Sequence, residues 1–153
     1  TVGCTLTLQG HALTEQANKF VGLDEVEDRF VIKEIIGVDP VTTEWCAAFV
    51  NFILELNDVP TLHDINHPHP LVARSFLQWG SIISPENIQR GDLVIFPRGT
   101  SDWQGHVGFF FDEVQDGRWI ILGGNQNNKI TYDLYFPSKA LGVRRHTLRK
   151  PIE

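Results

Sequence analysis

Residues 44–46, Glu44-Trp45-Cys46, put a thiol where the polar loop Val41-Thr42-Thr43 gives way to an apolar run that continues to Leu56. A cysteine in the first turn of a helix faces N–H groups without intrahelical partners and the positive end of the helix dipole, and both favour thiolate over thiol. A thiolate of that kind is expected to react with iodoacetamide well below pH 8. Gly105-His106-Val107-Gly108 supplies a histidine at the start of a strand. Strand alternation puts His106, Gly108 and Phe110 on one face, with Gly108 leaving open space beside the imidazole for a substrate to approach. A histidine base needs an acceptor on its second ring nitrogen to set tautomer and direction. The following hairpin strand runs into Gly123-Gly124-Asn125-Gln126-Asn127, and Asn125 is the expected orienter, with Gln126 and Asn127 behind it. Cys46, His106 and Asn125 then form a Cys-His-Asn set suited to acyl transfer. The competing readings are a buried structural thiol and a plain turn, since free cysteine is among the most buried residue types and Asn/Gly clusters are common in turns.

Elements must carry these residues. Apolar spacing predicts helices over 12–20, ending near Gly22, and over 23–36, where Val26, Phe30, Val31, Ile35 and Ile36 make the apolar stripe and Gly37 the stop. Thr42 or Thr43 is placed to cap the Cys46 helix, which should stop at Asn57-Asp58 before Pro60. Residues 61–70, with two prolines and no periodicity, read as a loop, and 71–79 as a further helix closing at Gly80. Beyond Ser84-Pro85 the pattern turns to strands at 93–96, 106–111 and 119–122, the last two joined through the turn-rich 115–118, with weaker strand signals at 131–136 and 141–145. Helices first and hairpinned strands second define an α+β fold, an antiparallel sheet backed by N-terminal helices.

Composition narrows the function classes. The 153 residues, 42% apolar and 21% charged, fit a single domain over 1–153. No apolar run reaches the ~18 residues a membrane span needs, so membrane insertion is not expected. Residues 1–6 lack the basic flank and long apolar core of a signal peptide. A formal net charge of −6 argues against nucleic acid as a partner. Two cysteines, Cys4 and Cys46, do not make a disulfide framework, and a bridge between them would disable the nucleophile. His63, Asp64, His67 and His69 offer the nitrogen and oxygen donors zinc prefers, although no helix sets their spacing; a zinc hydrolase using His63, His67 and His69 is the rival chemistry, and a solvated loop the bland reading.

Five blocks in order resemble one family: 45–51 (Trp-Cys-Ala-Ala-Phe-Val-Asn), 73–80, 91–96 (Gly-Asp-Leu-Val-Ile-Phe), Gly105-His106-Val107-Gly108-Phe109, and Leu122-Gly123-Gly124-Asn125-Gln126. Together with 20–26 they are similar to the NlpC/P60 and CHAP superfamily of cell-wall cysteine peptidases, most closely its small bacterial and phage branch, over a core of about 12–145. The resemblance implies a papain-like fold, peptidoglycan as partner, and hydrolysis of peptide or amide bonds in stem peptides or cross-bridges, with Cys46 as nucleophile and His106 as base. It also implies that the third residue is His, Asn or Gln, which Asn125 satisfies, whereas the Glu of many CHAP members would fall at Gly123. Glu44, Trp45, Trp79, Trp103 and Gln126 are the expected substrate contacts; no metal or cofactor is called for, and a monomer is expected. The cell wall would be reached by lysis, on a phage tail or through a secretion system. The alternative is a binding module of the same fold that has lost catalysis, with Trp79, Trp103 or Trp119 stacking on sugars.

Overall fold

The computed structural model describes residues 2–146, with side chains described from Gln9 onward; Cys4 lies outside that set. Helix α1 spans Val2–Asn18, α2 Arg29–Ile36 and α3 Cys46–Leu56. A 3-10 segment, Ala73–Gln78, precedes six strands: β1 Ser81–Ile83, β2 Leu93–Pro97, β3 Gly105–Glu113, β4 Trp119–Gln126, β5 Lys129–Tyr135 and β6 Gly142–Arg145. All pair antiparallel in the order β1-β6-β2-β3-β4-β5. Three consecutive hairpins build β2 to β5, and β6 returns to lie between β1 and β2. The fold is α+β, an antiparallel sheet backed by helices, as expected.

Helix α3 is the centre of the packing. It is apolar nearly all round, which suits a helix enclosed on every side: α1 and α2 flank it and β3 and β4 lie beneath it. Phe49, Val50, Ile53 and Leu54 are fully buried there with Val107, Phe109 and Leu122 from the sheet. Gly124 permits the close approach of β4, because a Cβ there would sit 2.8 Å from Trp45 Cζ3 and 2.9 Å from Phe49 Cβ. The other face of the sheet carries a second cluster with Val94, Phe96, Phe110, Trp119, Ile121 and Val143.

Several elements differ from expectation. Helix α1 begins well before residue 12, and α2 begins only at Arg29, because Asp24 accepts the N–H groups of Val26 and Glu27 and forms a turn there. With that turn in place the helical stripe shifts: Ile32 is the buried residue of α2, while Val26 and Phe30 are exposed. Neither threonine caps α3; Trp45 is its N-cap residue, without a side-chain cap. Residues 73–78 coil as a 3-10 helix rather than an α-helix, and β1 carried no sequence signal. Asp92, buried at the start of β2, is paired to Arg145 of β6 at 2.6 and 2.7 Å. That pair fastens the returning strand to the sheet.

Candidate active site

No side chain caps α3, so its first-turn N–H groups take no bond from a capping residue. Cys46 is the first residue of that helix and a free, buried thiol. Its Sγ lies 3.9 Å from the carbonyl oxygen of Gly105 and beside the N–H of Val107, the two backbone groups that flank His106. These are edge groups of β3. The β3–β4 ladder reaches only Phe109 opposite Leu122, and the thiol occupies the margin that a longer β4 pairing would have covered.

The reason β4 departs is a bulge. Its pairing with β5 shifts register between Gly123 and Gln126, and Asn125 sits at a left-handed φ of 55°, a conformation asparagine tolerates. Plain alternation from Ile121 would put Asn125 on the His106 face; the extra residue puts Gln126 there instead. The structure therefore replaces the expected orienter: Gln126 Oε1 is 2.8 Å from His106 Nε2, while Asn125 presents its backbone carbonyl to Arg98 at 3.1 Å. Asn127 and Asn128, both at positive φ, make the two-residue turn to β5. Gln126 is buried against His106 and does not reach the cleft surface where it was expected as a substrate contact.

The amide cannot be turned round. Gln126 Nε2 donates to the carbonyls of Ile121 and Thr131 at 3.1 and 2.8 Å, so Oε1 faces the imidazole and His106 Nε2 must carry the proton. Tyr135 adds a second donor, its hydroxyl 3.2 Å from the same Oε1. Burial pushes that hydroxyl's pKa up to about 12, keeping it a donor at any working pH. The Tyr135 ring also stacks on His106, centroids 5.5 Å apart and planes 16° off parallel. His106 Nδ1 is left buried, unprotonated and without a hydrogen-bond partner. It is the one nitrogen available to take a proton.

The electrostatics correct the thiolate expectation. Burial raises the Cys46 pKa, with Glu44 adding to the rise, while the Val107 and Ala47 N–H groups and Arg98 pull the other way. His106 is held down to about 3, by burial first and by the Arg98 charge second, with the Gln126 bond opposing both. Both shifts favour the uncharged forms, thiol and imidazole. Gly108 also departs from expectation: the space above it is filled by Ile121 Cγ2, so the glycine serves strand packing and not substrate access.

The open space lies on the other side of the thiol. A cleft of about 430 Å³ is bordered by Glu44, Cys46, Ala73, Trp103 and Gly105. Glu44 and Trp103 thus line it as expected. Trp45 and Trp79 do not: Trp45 is fully buried with Nε1 3.3 Å from Glu25 Oε1, and Trp79 is buried with Nε1 donating to the Pro60 carbonyl at 2.7 Å. Trp119 is buried as well, which leaves Trp103, 60% exposed, as the tryptophan able to meet a ligand. Sequence reasoning passed over Arg98 and Tyr135; the arginine directly follows the β2 strand signal, but nothing in its neighbours' spacing points toward the thiol. The rival zinc set does not assemble, since among the described residues no three His, Cys, Asp or Glu side chains converge on one point. Asp64 accepts from Thr61, and His67 is engaged by Gln78 and the His69 N–H.

A thiol at a helix N-terminus against the histidine strand of an antiparallel sheet defines the papain-like class of arrangement. Solved structures with this fold include an NlpC/P60 family protein from Bacillus cereus ATCC 10987 (TM-score 0.59, 16% identity, 91% of this chain and 40% of that one). NlpC2 from Trichomonas vaginalis is similar (0.60, 16%, 90% and 46%), as is an NLP/P60 family protein similar to lipoprotein from Staphylococcus aureus subsp. aureus Mu50 (0.58, 19%, 90% and 41%). The chain thus spans less than half the length of these proteins. No protein-family model matches the sequence, and no curated protein matches it.

Proposed function

We propose that this chain is a cysteine hydrolase that cleaves peptide or amide bonds in peptidoglycan stem peptides or cross-bridges. The observation that carries the reading is His106, pinned by Gln126 through Nε2 with a bare Nδ1, on the strand whose flanking backbone groups hold the Cys46 thiol. In this reading Nδ1 takes the thiol proton as Cys46 Sγ attacks the scissile carbonyl. First-turn N–H groups of α3 receive the oxyanion. The imidazolium then protonates the leaving amine, and the neutral imidazole later activates the water that splits the thioester. Gln126 supplies orientation without charge, and Tyr135 holds Gln126. The peptidoglycan substrate comes from the sequence resemblance and is consistent with the NlpC/P60 fold. Among the described residues no helix is long and apolar enough to cross a membrane.

Digestion of purified peptidoglycan, with new termini identified by mass spectrometry, tests the reading. Wild type should release fragments that Cys46→Ala and His106→Ala do not. Wild-type-like release by Cys46→Ser would refute it.

A further inference from the structure

Gln126 aims His106, and Arg98 grips Gln126 from two sides. Arg98 follows Pro97, the last residue of β2, which stands opposite Gly105 at the start of β3. Its Nη2 donates at 3.1 Å to the carbonyl of Asn125, the bulge residue just before Gln126. The guanidinium also lies beside the Tyr135 hydroxyl as a donor. With its oxygen engaged by a cation, that hydroxyl turns its proton to Gln126 Oε1, 3.2 Å away. One side chain therefore steadies both the backbone and the amide of the residue that orients the imidazole. The Tyr135 ring stacks on Phe96 of β2 as well as on His106, with centroids 4.5 Å apart for the first pair, so both supports of Gln126 are anchored at the end of β2.

Arg98 is also the fixed charge of the site. Among the described residues no carboxylate pairs with it, whereas Arg29, Arg90, Arg118 and Arg145 each meet an aspartate. Around Cys46, His106 and Tyr135 the charged neighbours are Arg98, Glu44 before α3 and Asp133 on β5, and of these Arg98 is the one that acts on all three groups. A fixed cation favours an anion over its neutral form and a neutral group over its cation. On Cys46, where burial and the Val107 N–H weigh more, it works toward thiolate. On His106 it adds to burial in keeping the ring uncharged. The first chemical step needs both states, a base without its proton and a sulfur that can carry negative charge.

Building on the hydrolase reading, we propose that Arg98 is a positioning residue of the reaction: it locks Gln126 against His106 through the Asn125 carbonyl and the Tyr135 hydroxyl, and its unpaired charge steadies the sulfur as the thiol proton passes to Nδ1. The electron pair of the S–H bond stays on sulfur and goes on to form the bond to the scissile carbonyl carbon. Arg98 exchanges no proton and forms no covalent bond.

Three variants separate the two roles. Arg98→Met removes fork and charge, Arg98→Lys keeps the charge without the fork, and Tyr135→Phe cuts one strut and leaves the charge. Each is assayed for fragment release from purified peptidoglycan and for iodoacetamide labelling of Cys46 against pH, with the labelled cysteine identified by mass spectrometry; urea midpoints verify that each is folded. Arg98→Met should slow release about tenfold, as for loss of one charge-assisted hydrogen bond, and should move the rise in labelling to higher pH. Arg98→Lys should restore the labelling profile and only part of the release. Tyr135→Phe should slow release with the labelling profile unmoved. Wild-type release by Arg98→Met overturns the assignment, as does slowed release with an unmoved labelling profile and no recovery in Arg98→Lys; either result leaves the hydrolase reading standing. Absence of release from every protein, wild type included, overturns the hydrolase reading and the role of Arg98 in it.

Discussion

At the scale of single residues, the roles of Asn125 and Gln126 are separable by mutation. Gln126→Ala removes the acceptor that fixes the His106 tautomer, and peptidoglycan hydrolysis should fall on the order of 10²-fold in kcat/KM. Asn125→Gly keeps the left-handed backbone and should retain most activity; digestion of purified peptidoglycan reads both. The second prediction concerns Cys46. With its pKa raised by burial, the rate of iodoacetamide labelling should climb through and beyond the ordinary thiol range, with no plateau below pH 8. A pH-independent rate between 6 and 8 would instead mean a preformed thiolate.

Among elements, β6 and β4 are held by features that can be removed one at a time. Asp92 is buried and takes two hydrogen bonds from Arg145. Asp92→Ala leaves that guanidinium only the Asn87 carbonyl and β6 without its tie, and should cost about 1–3 kcal/mol in urea unfolding. Gly124→Ala would drive a methyl into Trp45 and Phe49 and should cost about 1–3 kcal/mol. Since it also lifts β4 from the Cys46 helix, activity should fall by more than the unfolded fraction explains. The strands differ in how much of them local pattern reveals. Strands β2 to β5 were legible because buried apolar runs and turn signals report on local backbone preference. β1 was not, because its three residues pair only with the returning β6 and have no apolar pattern of their own.

For the whole molecule, the buried imidazole ties stability to pH. His106 titrates near 6.5 when unfolded and about 3 when folded, so between those values the unfolded chain binds the extra proton and acid favours unfolding. Stability should drop by about 2 kcal/mol between pH 7 and pH 5 from this group alone. A variant with His106→Gln should lack that slope whatever its absolute stability. Urea midpoints measured at several pH values would check it.

The sequence by itself determined the α+β order, the thiol at a helix start, the histidine at a strand start and an amide-rich segment on the neighbouring strand, because each is local or set by periodicity. It did not determine which amide meets the imidazole. That choice turns on a one-residue bulge that moves every later side chain of β4 to the other face, a consequence of pairing with β5. Nor did it tell a thiolate from a thiol, since the dipole is a property of the helix whereas the opposing desolvation comes from everything packed over Cys46. Tertiary structure likewise buried three of the four tryptophans and left Trp103 at the cleft, sorting by position residues that composition treats alike.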